Sequence, residues 1–385
     1  MKEIRDIISA FDKAQKLGKQ TALATVVHVD GSSYRRPGAR MLITEDGELT
    51  GAISGGCLER DALQKALLAM MEKRSKLVTY DTNDEDDAKL GMGLGCNGII
   101  QVLIEPIDSS DQDNPIQFLK MIVSKRQQNV LITLFSLQNK RDAQYGTCLL
   151  VPEDGNISGD VPILKDILTT DAKGALTNKN SSFKNYSTGN NNLTAFIELI
   201  KPPVSIVIIG AGNDAMPLVK MADILGWETT VVDGRPNYAK KERFVSACQV
   251  LVSKPENVLD KLTVDDETVF LLMTHNYNYD LAMLRALLAR KLVYVGSLGP
   301  RKKLDRMIEG LKEEGVSLTH EQLSSLYGPV GLDVGAETAE EIALSILAEI
   351  KAVLSSKSGQ SLRINTEAIH SRSDLLIEQV DIHKE

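Results

Sequence analysis

The sequence is poor in cysteine and lacks a long apolar segment, and each absence excludes a class of protein. Its four cysteines lie far apart among 385 residues and form no Cys-x-x-Cys pair. Neither a disulfide scaffold nor a zinc site is therefore indicated, and we expect reduced thiols. No segment reaches the roughly 20 apolar residues that span a bilayer, and the N-terminus lacks the apolar core of a signal peptide. We expect a cytoplasmic protein without membrane association.

The chain also lacks an excess of positive charge. Its net charge of −8 argues against a nucleic-acid binder, because such proteins neutralise phosphates with lysine and arginine. A few backbone N–H groups or arginines still suffice to bind a small anion in an acidic protein. A content of 43 % hydrophobic and 25 % charged residues is ordinary for a soluble globular protein, and 385 residues are enough for two or three domains.

The first 200 residues predict an α/β domain. Apolar residues at helical spacing over 2–18 indicate an amphipathic helix, and the β-branched run 21–29 indicates a strand. The pair Asp46-Gly47 predicts a hairpin turn. A helix over 57–74 and strands at 75–82 and 96–106 complete this region.

Residues 110–200 form a poorly defined extension of this domain. The apolar runs 128–137 and 146–155 predict strands that extend the N-terminal sheet. The segment 174–192 is rich in asparagine and serine and predicts an exposed loop.

From residue 203 to about 355, strands and helices alternate. This alternation predicts a Rossmann-like domain, a doubly wound parallel sheet with helices on both faces. Thr338 and Glu341 have the spacing of a capping box at the start of its long closing helix. Residues 356–385 are polar and predict a C-terminal tail.

A glycine motif lies at the first strand-to-helix turn of this second domain. Gly210 permits a tight turn, Gly212 lets a phosphate approach the backbone, and Ala215 allows close packing of helix and strand. Asp233 ends the next strand at about the position, roughly 20 residues on, where an acidic residue binds a ribose hydroxyl. Arg235 would favour a 2′-phosphate. The motif therefore predicts NAD(P) binding, and the alternative is that glycines and Asp233 serve only the turns.

Two cysteines lie in glycine-rich turns. Cys57 follows Gly55 and Gly56 where a strand gives way to a helix, and the partial positive charge of a helix N-terminus favours the thiolate. Cys96 lies in the sequence GMGLGCNG before a strand. We assign Cys57 and Cys96 as candidate metal or cofactor ligands, whereas Cys148 and Cys248 are predicted to be small buried side chains.

Three arginines occupy a loop bounded by glycine and proline, GSSYRRPGAR over residues 31–40. Arg36 and Arg40, with the neighbouring Arg35 and hydroxyl groups, are candidates to hold a phosphate. A solvated basic loop is the alternative interpretation.

Eight segments in one order resemble the XdhC/CoxI family, the accessory proteins of xanthine dehydrogenase and carbon monoxide dehydrogenase. They are GSSYRRPGARMLITEDG, GAISGGCLERDAL, GLGCNGIIQVLIEP, IVIIGAGNDA, VVDGRP, LLMTHNYNYD, YVGSLGPRKK and GPVGLDVGAETAEEIALSILAEI. Two positions depart from the family pattern: Asn213 stands where histidine is common, and Asn97 follows Cys96 where the family has a glycine.

The resemblance implies a factor that binds molybdenum cofactor (molybdopterin), promotes exchange of a terminal oxo ligand for sulfur, and delivers the cofactor to an apo-molybdoenzyme of the xanthine dehydrogenase type. It implies Cys57 and Cys96 at the cofactor, a cysteine desulfurase as a further partner, and a homodimer. His275, with Thr274 and Asp280, matches a family motif after the fourth strand of the second domain, where such folds bind ligands. We expect the two groups of residues to meet in a cleft between the domains.

Two other functions stay open at this point. An NAD(P)-dependent oxidoreductase would use the Gly210 loop, with His275 as the candidate acid or base, but no partner for His275 is evident. A nucleotide-binding scaffold or sensor that docks the apo-enzyme would use the same loop and would not need Cys57 or Cys96. The accessory factor itself would have no turnover of its own.

Overall fold

The computed structural model describes residues 1–81, 98–140, 144–162, 164–188, 191–364 and 377–381. The chain folds into two units. The first unit comprises Met1–Pro202 together with Asn365–Glu385, and the second comprises Pro203–Ile364.

A five-stranded antiparallel sheet begins the first unit. Its order is β3 (Leu49–Gly51), β2 (Arg40–Thr44), β1 (Thr21–Gly31), β5 (Gly98–Pro106) and β4 (Lys76–Asp81). The predicted hairpin at Asp46-Gly47 is confirmed, since β2 pairs with β3 and Gly47 has a φ of 88°. Helix α2 (Glu59–Glu72) covers one face through alanines and Met70, which pack on apolar side chains of β1, β2 and β5.

The predicted N-terminal helix is confirmed as α1 (Lys2–Lys16). Its apolar face, Ile4, Ile7, Phe11 and Ala14, is buried. This face joins α3 (Pro115–Ser124) and apolar residues of two sheets in one core, because apolar residues three and four apart share one side of a helix.

A second sheet of six strands lies in the same unit. Its order is β17 (Ile377–Asp381), β9 (Ser182–Thr188), β10 (Asn191–Ile200), β6 (Asn129–Phe135), β7 (Gly146–Pro152) and β8 (Ser158–Gly159). The strands β6 and β7 were predicted, but their assignment to the N-terminal sheet was wrong. Helix α4 (Lys165–Asn178) covers one face of this second sheet, and the first sheet packs against the other face. Both faces of the second sheet are therefore apolar.

The predicted exposed loop at 174–192 is wrong. This segment contains the end of α4, the strand β9 and the start of β10. Phe183 is 1 % exposed and stacks on Phe196 with ring centroids 4.8 Å apart, and Tyr186 is fully buried. Two buried aromatic side chains and the pairing with β10 therefore outweigh the local composition.

The C-terminal segment also contributes to the first unit. The strand β17 pairs in parallel with β9, from Ile377 opposite Phe183 to Asp381 opposite Ser187. The polar composition of residues 356–385 did not indicate this strand.

The second unit is a parallel six-stranded sheet, which confirms the predicted Rossmann-like fold. Its order is β13 (Gln249–Val252), β12 (Glu228–Asp233), β11 (Ser205–Ile209), β14 (Thr268–Leu272), β15 (Val295–Ser297) and β16 (Leu326–Tyr327). Numbered from β11, this is the order 3-2-1-4-5-6 of dinucleotide-binding folds. Apolar cores lie on both faces of the sheet. The helices are α5 (Ala215–Ile224), α6 (Tyr277–Leu288), α7 (Arg301–Glu313), α8 (His320–Ser324) and α9 (Ala339–Leu354).

Candidate functional site

The predicted site residues fall into two groups, one in each unit. Cys57, Gly55, Gly56, Arg36 and Arg40 lie in the first unit, whereas Gly210, Gly212, Ala215, Asp233 and His275 lie in the second. Cys96 and the glycine-rich loop around it lie outside the described residues. The expected meeting of the two groups in one cleft stays a prediction.

Cys57 lies in a turn before α2 that two side chains hold in place. The Glu59 carboxylate accepts hydrogen bonds from Ser54 N at 2.8 Å and from Ser54 Oγ. Ser54 Oγ in turn accepts from Gly56 N at 3.2 Å and from Leu58 N at 3.1 Å. Gly56 has a φ of 113°, a backbone conformation that favours glycine. The partly exposed Cys57 thiol is thus presented on an ordered turn.

Two carboxylates lie beside this turn. Burial raises the pKa of Glu59, but hydrogen bonds from the Ser54 side chain and backbone outweigh burial and hold that pKa below its usual value. Glu59 and Asp61 both lie in the first turn of α2. Their carboxylates offset the partial positive charge of the helix N-terminus on which the predicted reactivity of Cys57 depends.

Tyr34 connects the arginine loop with the cysteine turn. Its ring carbons lie 3.5 Å from the position that a Cβ on Gly55 would take, so the ring rests against the glycine backbone. Tyr34 is nevertheless 70 % exposed. The turn therefore presents a thiol and an open aromatic face from neighbouring segments.

Arg35 and Arg40 of this loop form ion pairs within the first unit. Arg35 Nη2 lies 2.5 Å from Glu3 Oε2. The Arg40 side chain is 4 % exposed, pairs with Glu198 through both guanidinium nitrogens Nη1 and Nη2, and donates to Gly38 O at 2.9 Å. This pair joins β2 of the first sheet to β10 of the second. Arg40 therefore ties the two sheets together and Arg36 is exposed, while the phosphate contacts expected of both stay predictions.

The remaining cysteines differ from each other. Burial, with the nearby charge of Glu105, raises the pKa of the Cys148 thiol to about 12. Cys148 is half-buried beside the core of the second sheet, and its thiol stays protonated and unreactive there. Cys248 is exposed, so its prediction as a buried side chain is wrong.

In the second unit, Gly210 is required by a close approach of two backbones. Its φ is 126°, and a Cβ added there would lie 2.6 Å from the carbonyl carbon of Met273. The turn after β11 therefore packs directly against the turn after β14. This packing accounts for Gly210 without any ligand.

Asp233 is buried at the end of β12. Burial raises the pKa of this carboxyl, but hydrogen bonds from Arg235 and from the backbone of Ala211 outweigh burial and hold that pKa below its usual value. The contact with Ala211 N, at 2.9 Å, ties the end of β12 to the glycine turn.

Two side chains lie over the same glycine turn. Arg243 donates to Ala211 O at 2.7 Å and to Asn213 Oδ1 at 2.8 Å. Asp214 lies so close to Gly212 that a Cβ on the glycine would collide with its carboxylate. Ala215 is fully buried at the start of α5, as its predicted packing role requires.

His275 is held in an unusual backbone conformation at the same sheet edge. Its φ is 55°, and Nε2 lies 3.3 Å from Asp214 Oδ2. The side chain is 72 % exposed. Non-glycine residues in this conformation are uncommon and are concentrated at functional sites.

A buried carboxylate supports the His275 turn. Asp280 is fully buried and accepts from Thr274 Oγ1 at 2.6 Å and from Lys303 Nζ at 2.7 Å. Lys303 also donates to Leu298 O at 3.0 Å. The two family segments LLMTHNYNYD and YVGSLGPRKK are thereby joined into one polar network.

Sequence reasoning missed Tyr34, Ser54, Glu59, Asp214 and Lys303. The spacing of Ser54 and Glu59 around a helix start was a usable signal, because such side chains satisfy free N–H groups there. The contact of Tyr34 with Gly55 and that of Lys303 with Asp280 join residues far apart in sequence, so no local pattern predicts them.

The described part of the chain holds neither a membrane-spanning helix nor a metal cluster. Among the described residues, none of the helices is both long and apolar enough to cross a bilayer. In the same ranges, no group of three or more His, Cys, Asp or Glu side chains is placed to hold a metal ion.

Comparison with known proteins places the chain in a family. Residues 14–81 match the XdhC and CoxI family, and residues 206–350 match the XdhC Rossmann domain. A Bacillus subtilis protein named as a probable subunit of xanthine dehydrogenase is 32 % identical over 334 residues, which cover 86 % of this chain and 92 % of the relative. The molybdenum cofactor insertion chaperone PaoD of Escherichia coli is 24 % identical over 91 % of this chain and 88 % of its own length.

A solved structure agrees with these matches. A crystal structure of a protein from Bacillus halodurans, described as a xanthine dehydrogenase, superposes with a TM-score of 0.72 at 30 % identity. The match covers 92 % of this chain and 98 % of that one. The similarity extends over both units, and the chain belongs to the XdhC and CoxI family.

Proposed function

We propose that this chain is a maturation factor that binds molybdenum cofactor and supports its sulfuration and its insertion into a xanthine dehydrogenase-type molybdoenzyme. The proposal rests on the match, over 91 % of this chain, to a relative named as a molybdenum cofactor insertion chaperone. The relative named as a probable subunit of xanthine dehydrogenase supports a molybdoenzyme of that type as the recipient.

The first unit offers groups suited to this cofactor. The Cys57 thiol, once deprotonated, is a soft ligand for a metal or an acceptor of sulfur. The open ring of Tyr34, supported on Gly55, suits a planar pterin, because flat aromatic systems stack with a gain of about 0.5–1.5 kcal/mol beyond their buried area. When bound, the cofactor supplies the molybdenum centre, while the chain supplies the thiol, the aromatic face and the ordered turn.

Cys96 completes the proposed ligand set. The partners in the proposal are the apo-enzyme, a cysteine desulfurase as the source of sulfur, and a second copy of the chain in a homodimer. The factor would bind and release the cofactor without catalysing a turnover of its own.

The direct test is binding of molybdenum cofactor released without oxygen from a donor enzyme. Molybdenum that co-elutes with the protein would be quantified for wild type and for Cys57→Ala/Cys96→Ala. We expect stoichiometric binding by wild type and its loss in the double variant. Cys248→Ala is the matched control, because it removes an exposed thiol of the second unit.

Each outcome bears on a separate part of the proposal. Binding by the double variant at the wild-type level would remove both cysteines from the site and leave the chaperone function standing. An absence of binding by wild type would contradict the function itself. Activation of an apo-enzyme by the loaded protein would then test delivery.

A further inference from the structure

Folds of this type bind dinucleotides, and two positions of the glycine turn decide whether NAD(P) fits the second unit. The first is the ribose position beside Asp233. Oδ1 of Asp233 accepts from the backbone N and from Nε of Arg235, and Oδ2 accepts from Arg235 Nη2 and from Ala211 N, all at 2.9 Å. A carboxylate offers about four acceptor sites. All four are used within the chain, and Asp233 is 3 % exposed.

The second position is that of the pyrophosphate. In dinucleotide-binding loops the second glycine leaves its Cβ position free so that the pyrophosphate can approach the backbone. Here a Cβ on Gly212 would collide with Asp214 Oδ1, and Cγ of Asp214 lies 3.5 Å from that position. A carboxylate thus lies against the Gly212 backbone on the side from which a phosphate would approach, and its negative charge would repel an anion.

Further contacts hold this arrangement. Arg243 bonds to Ala211 O and to Asn213 Oδ1, which fixes the turn between Gly210 and α5. His275 Nε2 lies 3.3 Å from Asp214 Oδ2 and keeps that carboxylate at the turn. The Arg235 guanidinium also stacks on Tyr238, with Cζ 3.8 Å from the ring centroid.

We propose that the glycine turn of the second unit does not bind NAD(P), because Asp214 and Arg235 of the chain itself occupy the pyrophosphate and ribose positions. Arg235 is also unsuited to a 2′-phosphate, since Nε and Nη2 of its planar fork are already bound to Asp233. The turn is a dinucleotide-type loop filled by its own side chains. Hydride transfer from a nicotinamide at this loop is thereby excluded.

The experiment is a fluorescence titration of the full chain with NADH and, separately, with NADPH. Wild type is expected to give no saturable signal up to about 1 mM nucleotide. The variant Asp214→Ala/Arg235→Ala clears the pyrophosphate position and frees two acceptor sites on Asp233. It is expected to bind NADH at least about tenfold more tightly than that limit, which corresponds to about 1.4 kcal/mol.

A matched control removes a different ion pair from the same unit. Arg285 and Glu314 form an exposed pair at the ends of α6 and α7, and Arg285→Ala/Glu314→Ala is expected to behave like wild type. Saturable binding of either nucleotide to wild type would overturn the proposal. A folded double variant, with the circular dichroism and melting of wild type, that still fails to bind NADH would overturn the assignment to these two side chains. Neither outcome depends on cofactor binding at Cys57.

Discussion

Replacement of Arg40 by methionine tests whether this arginine belongs to the fold or to a cofactor site. Its side chain is 4 % exposed, and that of its partner Glu198 is 13 % exposed. Removal of the cation leaves a nearly buried carboxylate without its partner, which typically costs about 3–5 kcal/mol. We therefore expect Arg40→Met to lower the free energy of unfolding of the first unit by about 3–5 kcal/mol.

Two further variants set the scale of this effect. Arg40→Met/Glu198→Met removes both charges and should recover most of the loss, because an apolar pair of similar volume often replaces a buried ion pair without net cost. Arg35→Met breaks the ion pair with Glu3, whose side chains are 30 % and 31 % exposed, and should cost at most about 1 kcal/mol.

Urea unfolding is followed with two optical probes in one experiment. Far-ultraviolet circular dichroism follows both, whereas the fluorescence of Trp227, the single tryptophan, reports the second unit. The Trp227 transition should not move in Arg40→Met. If this variant unfolds like wild type and yet loses molybdenum cofactor, the structural role of Arg40 is refuted and Arg40 is again a candidate to bind the cofactor.

Three further predictions concern the first unit. Burial raises the pKa of Glu105 from 4.5 to about 7, despite hydrogen bonds from Thr147. The folded state then holds the Glu105 proton more tightly than the unfolded state does. The stabilisation of the folded state by this proton is complete below about pH 4.5 and is lost as the pH rises to about 7, by at most about 1.4 kcal/mol per pH unit. Urea midpoints at pH 5 and pH 7 should therefore differ less in Glu105→Gln than in wild type, and an unchanged difference would refute the role of Glu105. Tyr34→Ala should weaken binding of molybdenum cofactor by about tenfold while Tyr34→Phe keeps it, and equal affinities would remove the stacking contact. Glu59→Ala, which releases Ser54 from the turn, should raise the rate of Cys57 alkylation, followed by mass spectrometry at that peptide; an unchanged rate would show that the turn is ordered without Glu59.

Local patterns predicted much of the fold. The apolar spacing of α1, the turn at Asp46-Gly47 and the alternation of strands and helices after residue 203 are all borne out in the structure. Each of these signals lies within a short window, because helices and hairpins are formed by residues that are close in sequence. Local patterns did not predict the strand β9, because its polar residues are held in place by pairing with β10 and by the buried Phe183.

The candidate site, like the fold, was predicted from the sequence only in part. The glycine context of Cys57 and the motif at Gly210 were visible in the sequence, and so was the resemblance to the XdhC/CoxI family. The sequence could not show which charges are already paired. Arg40 and Glu198 are 158 residues apart, and Asp280 and Lys303 are 23 apart. Only the packing of distant strands and helices brings these partners together.

Residue type and spacing thus predicted the Rossmann-like fold of the second unit and the position of the Cys57 turn, and the resemblance of eight segments indicated the family. The tertiary structure alone decided that Arg40 is an internal tie between two sheets and that the acceptors of Asp233 are already used by the chain. The physical reason is that charged groups pair with partners that the fold brings close in space. Burial strengthens the attraction between such partners by removing competing water.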